Sequence, residues 1–200
     1  MVSVGILVYD NNMRNVIILH GKPEKDEYYD PKFPSASNSH WLPWLQKQLT
    51  VNGIKADTPE VPMAFNPQWD LWVKEVERFE ITPNTILIGH SCGAGFWVRY
   101  LSEHKDLSVS KVVLVAPSLG KDWDNHDFFD FTIDSEISKR TKSIIVFYSD
   151  NDKQSILDTV KTLQQTIPSI NIREFHGLGH FTYEDMKTSE FPELLTEILT

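Results

Sequence analysis

Five short apolar, β-branched runs constrain the fold more than any other feature of this chain. They lie at residues 15–19, 85–88, 111–115, 143–148 and 170–175. Continuous runs of this length read as strands buried on both faces, the environment of a parallel sheet. Parallel neighbours need crossover connections, and the segments between the runs carry helical periodicity. Trp41, Leu42, Leu45 and Leu49 share one helix face; Trp69, Trp72, Val73 and Val76 share another. Ile156, Leu157, Val160, Leu163 and Ile167 follow the same period, as do Phe191, Leu194, Leu195, Ile198 and Leu199, with Pro192 in the first turn. The alternation predicts an α/β fold: a mostly parallel central sheet with helices on both faces and a minimal lid. Residues 4–9 predict a further edge strand, turning at Asn11-Asn12. Ligands bind beyond the carboxyl ends of the strands in such sheets, so the loops after the runs are where chemistry is expected.

At 200 residues with 40% hydrophobic content, the chain can build one sizeable core, and a single domain over residues 1–200 is expected. A net charge of −9 argues against nucleic acid or an anionic membrane surface as partner. Cys92 is the only cysteine, which excludes an internal disulfide and suits a reducing compartment. Residues 3–9 are too short for a signal-peptide core, and no apolar stretch approaches the roughly 20 residues that span a bilayer. The expectation is a cytoplasmic protein that does not enter membranes.

Gly89-His90-Ser91-Cys92-Gly93 fits the G-x-S-x-G pattern between the second run and a helix expected from Cys92 to about His104. In that context a serine sits at a strained apex, and the glycines on either side pass where a Cβ would clash. Ser91 is therefore the candidate nucleophile, with φ > 0 expected. Cys92 lies one step past the apex, so its side chain should turn away. Its backbone N–H, at the start of the helix, is a candidate oxyanion donor. A second donor is expected after the first strand in His20-Gly21-Lys22, from Gly21 or Lys22; His20 itself reads as structural.

A serine hydroxyl needs an adjacent base. Among seven histidines, His180 stands in Gly177-Leu178-Gly179-His180-Phe181, after the fifth run and before the last helix. The orienting acid should follow the fourth run, where Ser149-Asp150-Asn151-Asp152 lies. Serine, acid and histidine then fall in the order this fold uses. Trp123, Phe128, Phe129 and Phe131 lie between strands where a lid would be, and are candidates for an acyl pocket. The other tryptophans, at helical spacing, read as core. No histidine pair at helical ligand spacing and no glycine-rich phosphate loop is present, so no metal or cofactor is expected.

These residues resemble the small α/β serine hydrolases like retinoblastoma-binding protein 9, which include the bacterial YdeN-like proteins. The likeness rests on His40-Trp41 with Trp44, on Pro59-x-x-Pro62 before the helix containing Trp69, and on the Gly-His-Ser-x-Gly elbow. The Asp-x-Asp loop and Gly179-His180-Phe181 complete it. It implies Ser91, Asp152 and His180 as a catalytic triad. The chain departs from the family in three places. Lys153 replaces a proline, residues 24–38 form a long polar loop, and the flanks of Cys92 lack the Leu-x-Cys-x-Glu element used for retinoblastoma binding.

Residue patterns also favour Asp152 over Asp150. Ser155 with Asp158 fits a capping box for the next helix, leaving Asp152 free for His180, while Asp150 would bond loop amides. The expected function is hydrolysis of a small acyl ester or amide through an acyl-enzyme on Ser91. The alternative is a retired hydrolase fold serving as a binding module.

Overall fold

The fourth run becomes the middle of a strand because both of its faces are covered. In the computed structural model, which describes residues 14–120, 123 and 127–200, Ile144 to Phe147 are all buried within β5 (Thr141–Ser149). The other strands are β1 (Asn15–Leu19), β2 (Lys55–Asp57), β3 (Ile86–His90), β4 (Val109–Val115) and β6 (Asn171–Phe175). They form one six-stranded sheet in the order β2-β1-β3-β4-β5-β6, every neighbouring pair parallel. The expected edge strand at residues 4–9 lies outside the described residues.

Alternate residues of each strand feed opposite layers. Val16 and Ile18 enter the core shared with α2 (Leu42–Val51) and α7 (Pro192–Leu199). Ile17 and Leu19 enter the core shared with α3 (Trp69–Val76) and α4 (Cys92–Glu103). Helix α5 (Gln154–Thr166) contributes Ile156 to the first layer, and Val160 and Leu163 to the second. The tryptophans at helical spacing are core, as expected: Trp41, Trp72 and Trp97 are fully buried. Two short helices, α1 (Lys25–Tyr29) and α6 (Tyr183–Met186), bury no residue.

The structure departs from the sequence reading at three strands. Strand β2 was not anticipated: its three residues, Lys-Ala-Asp, show no apolar run and are ordered by pairing with β1. Strand β3 continues past Ile88 through Gly89 and His90, delivering the chain directly into the elbow. Strand β6 was expected to be buried on both faces, yet none of its residues is buried, because it is an edge strand beyond β5.

The order of strands reverses between β1 and β3, so the connections leave on opposite sides and open a crevice above that junction. The loops after β1, β3, β4, β5 and β6 all meet at this end of the sheet.

Candidate active site

Ser91 connects β3 to α4 with φ 54° and ψ −116°. This left-handed conformation is costly for a residue with a side chain and persists only where the surroundings enforce it. Here its N–H donates to Val115 O at 2.9 Å, and its carbonyl accepts from Ala94, Gly95 and Ser118 amides at 3.1, 3.2 and 3.0 Å. The flanking glycines are required by space. A Cβ on Gly89 would lie 2.4 Å from Ala94 N, and one on Gly93 2.4 Å from His20 O. Trp97 Nε1 donates to Ile88 O at 2.9 Å, tying α4 down onto β3.

Three side chains from three loops converge on this apex. His180 Nε2 lies 2.8 Å from Ser91 Oγ, and His180 Nδ1 lies 2.9 and 3.1 Å from the two Asp152 oxygens. With Nδ1–H donating to the carboxylate, Nε2 offers its lone pair to the serine hydroxyl. The Asp152 side chain is 1% exposed, against 23% for that of His180. Asp152 also accepts the Lys153 amide at 2.6 Å. The capping argument for choosing Asp152 does not hold, although Asp152 is the acid that meets His180. Helix α5 begins at Gln154 with Lys153 as N-cap, which puts Ser155 inside the first turn rather than at its cap.

Successive amides of the His180 loop are held by side chains at the end of β5 and in the loop after it. Gly177 N donates to Asp150 Oδ1 at 3.1 Å, Leu178 N to Ser149 Oγ at 2.9 Å and Gly179 N to Asn151 Oδ1 at 2.9 Å. His180 N itself donates to Asp185 Oδ2 at 2.8 Å. Each such bond is worth about 1 kcal/mol net, and together they fix the imidazole's backbone without touching its ring. Asp150 thus bonds a loop amide, as expected, and also meets His176 Nδ1 at 2.8 Å on the surface. That hydrogen bond pulls the His176 pKa up and the Asp150 pKa down.

The candidate oxyanion donors stand close by. Cys92 is the first residue of α4, where an amide has no intrahelical acceptor. Its thiol is fully buried, and burial pushes its pKa well above the ordinary thiol value. Gly21 packs on Ser91 so closely that a Cβ added there would sit 3.1 Å from Ser91 Cβ. His20 Nδ1–H donates to Gly21 O at 2.7 Å, while its Nε2 accepts the Val61 amide at 3.0 Å. His20 is therefore a bonded structural residue. Holding the Gly21 carbonyl also turns the Lys22 N–H, on the far side of that planar peptide, away from His20.

Above the apex is a groove of about 910 Å³. Its lining corrects the expected pocket. Of the four aromatic candidates only Trp123 lines it, whereas Phe128, Phe129 and Phe131 do not. Phe128 is 1% exposed and packs on Trp72 and Trp69. Phe129 fills the space over Gly95 and Gly120. Arg99 draws this segment down by donating to the Asp127 and Phe128 carbonyls, both at 2.8 Å, with its guanidinium 6.0 Å from the Phe131 ring centre. The groove is instead walled by the polar segment at residues 24–38, through Tyr28, Phe33 and Glu24, and by Tyr183 and Glu184. Tyr28 Oη accepts the Met63 amide at 3.1 Å, which anchors this wall to the rest of the fold.

Two histidines that carry no role in the site on sequence grounds also reach it. His40, at φ 59°, lines the groove and accepts the Tyr183 amide on Nδ1 at 3.1 Å. His90, fully packed behind Ser91, bonds the backbone of His180. The signal for His90 was its place beside the serine in a strand otherwise wholly apolar. Among the described residues, Asp150, Glu174 and His176 bring metal-ligand-type atoms within 4.8 Å of one another, but they are exposed and lie off the groove.

Residues 31–196 match the family model described as serine hydrolase. The chain belongs to the serine hydrolase family. The hydrolase YdeN of Bacillus subtilis is 29% identical over 184 residues, spanning 88% of this chain and 90% of that protein. The crystal structure of the B. subtilis ydeN product superposes with a TM-score of 0.77 at 24% identity, covering 94% of this chain and 97% of that one. A YdeN-like hydrolase from Pectobacterium atrosepticum gives a TM-score of 0.61 at 17% identity, covering 93% and 89%. This serine hydrolase is thus a YdeN-like α/β hydrolase in fold. No helix among its described residues is long and apolar enough to cross a membrane.

Proposed function

We propose that this chain hydrolyses a small acyl ester or amide through an acyl-enzyme on Ser91, with His180 as general base and Asp152 as the acid that orients it. The observation that carries the reading is the unbroken chain from Ser91 Oγ through His180 to a buried Asp152, anchored on a serine held at positive φ.

The chemistry follows from the geometry. Ser91 Oγ attacks the acyl carbon as His180 Nε2 takes its proton, and Asp152 stabilises the resulting imidazolium. The substrate oxygen becomes an oxyanion, met by the amides of Cys92 and of Gly21 or Lys22. Such preorganised donors act at full strength because they need not reorient when charge develops. Collapse expels the alcohol or amine, which receives the proton from His180. Water then attacks the acyl carbon as His180 takes its proton; the acyl–Oγ bond breaks, His180 returns the proton to Ser91 Oγ, and the acyl group leaves as a carboxylic acid.

Fluorophosphonate labelling tests the reading: wild type should form one covalent adduct on Ser91, and Ser91→Ala none. A folded wild type that stays unlabelled supports the alternative, a binding module on a hydrolase fold.

A further inference from the structure

His90 occupies the junction of the three elements that meet at Ser91. It is the last residue of β3 and immediately precedes the apex. Its Nε2 lies 2.8 Å from the backbone carbonyl of His180, so Nε2 carries the hydrogen and donates. Its Nδ1 would lie 3.6 Å from a Cβ built on Gly21, in the loop that carries the candidate oxyanion donors. Rings close it in: Trp41 and His40 pack edge-on at 5.7 and 5.6 Å, and the His180 ring lies at 5.2 Å. The residue is 3% exposed.

The bonded carbonyl is the one that leads into Phe181, which stands at φ 56°. Phe181 is fully buried and stacks on Phe191 at 5.4 Å. A non-glycine residue at this φ tends to relax unless neighbouring contacts forbid it. Three constraints act here: the Phe181 amide bonds Leu178 O at 3.0 Å, the Phe181 ring is locked in the core, and His90 holds the intervening carbonyl. The first two are satisfied within the base loop and its own layer. Of the three, only the His90 bond is a hydrogen bond from that loop to the strand that leads into the nucleophile.

We propose that His90 is a positioning residue for the reaction: its Nε2–H clamps the His180 backbone carbonyl and so sets the distance between His180 Nε2 and Ser91 Oγ. The inference rests on the Ser91 chemistry proposed above. It assigns a role to the residue before the nucleophile, which acts through a backbone atom of the base. An alignment error of about 1 Å between reacting groups can cost on the order of 100-fold in rate, so a clamp of this kind has a kinetic signature.

The test compares wild type, His90→Phe, His90→Gln, His90→Asn and Ser91→Ala for the concentration dependence of fluorophosphonate labelling. Phe keeps the ring volume and removes the donor. Gln places an amide N–H near the position of imidazole Nε2, while Asn reaches only as far as Nδ1. The expected result is a first-order labelling step slowed roughly 10- to 100-fold in His90→Phe and His90→Asn, with half-saturation unchanged, and restored to within about threefold of wild type by His90→Gln. A His90→Phe protein that labels at the wild-type rate, or a His90→Gln protein as slow as His90→Phe, overturns the proposal. Should His90→Phe fail to fold, the Asn and Gln variants carry the same contrast, and equal rates for them overturn it. Labelling that persists in Ser91→Ala, or is absent from wild type, defeats the Ser91 chemistry instead. The clamp is then judged by imidazole ¹⁵N NMR, where an Nε2–H tautomer of His90 supports it and an Nδ1–H tautomer overturns it.

Discussion

Asp152 faces His180 Nδ1 with both carboxylate oxygens, at 2.9 and 3.1 Å. Asp150, two residues earlier, bonds His176 at 2.8 Å on the protein surface. One loop thus presents two aspartates to two different histidines, and only the first lies under the serine.

Asp152→Asn should therefore lower kcat severely, toward the roughly 10⁴-fold loss seen when a triad aspartate becomes its amide. Asp150→Asn should change kcat by less than about threefold, because that carboxylate serves an exposed pair and a loop amide. Steady-state rates on a chromogenic acyl ester check this. A larger loss in Asp150→Asn would contradict the assignment.

The groove lining separates two aromatic residues that sequence reasoning grouped together. Trp123→Ala should alter KM with little effect on stability, since Trp123 lines the groove. Phe128→Ala should cost about 3–5 kcal/mol of stability, as deletion of a buried ring does. Urea melts and KM values for the two variants give the comparison; a stable Phe128→Ala protein with changed KM would reverse it.

Acid should weaken the fold through its buried imidazoles. Burial lowers the pKa of His20, of His40 and, most strongly, of His90, where the nearby His180 adds to the effect. In the unfolded chain each titrates near about 6.5. Below that value the unfolded state binds protons that the folded state refuses, so stability present above it is lost as pH falls toward the folded pKa values. His176 has the opposite sign: its raised pKa makes its contribution present at low pH and lost as pH rises through the folded value. Its ring is exposed, so the buried groups decide the slope. Urea unfolding between pH 7 and 5 should show stability falling by up to about 1.4 kcal/mol per pH unit for each fully buried histidine. The slope should be shallower in His90→Gln. A flat or rising profile would contradict the neutral, buried state of these rings.

Gly93→Ala should be among the most damaging small substitutions. The added methyl would meet the His20 and Leu19 carbonyl oxygens at 2.4 and 2.6 Å, both backbone atoms that cannot swing aside. A loss of about 3 kcal/mol or more is expected from such overpacking. At Gly53, where nothing lies within 4 Å, the same change carries only the strain of φ 76°, on the order of 1 kcal/mol. Thermal or urea denaturation of the two variants checks the contrast.

The parts of this molecule that were legible in the sequence are those governed by short-range rules. The elbow could be read because a serine at positive φ demands glycine at positions 89 and 93. The central strands could be read because double-sided burial selects continuous apolar runs. Strand β2 could not, since pairing with β1 orders three residues that have no apolar preference. The groove wall was missed for a related reason: the segment at residues 24–38 is polar, with only the short α1 and a 3-10 turn at Ala36–Asn38, and a contact distant in sequence, Tyr28 with Met63, anchors it. Phe128 reads as a pocket candidate because spacing cannot reveal Arg99 donating to the backbone of that segment and drawing it onto the core. Asp152 does meet His180, but the capping argument for choosing it fails: helix α5 starts two residues earlier than a cap at Ser155 requires.

The central claim is that Ser91 is a nucleophile activated by His180. Incubation of the folded protein with a fluorophosphonate, followed by peptide mapping, tests it most directly. The account predicts one adduct per chain, located on Ser91, absent in Ser91→Ala and strongly slowed in His180→Ala. An adduct on another residue, or no adduct on protein shown to be folded, would contradict it.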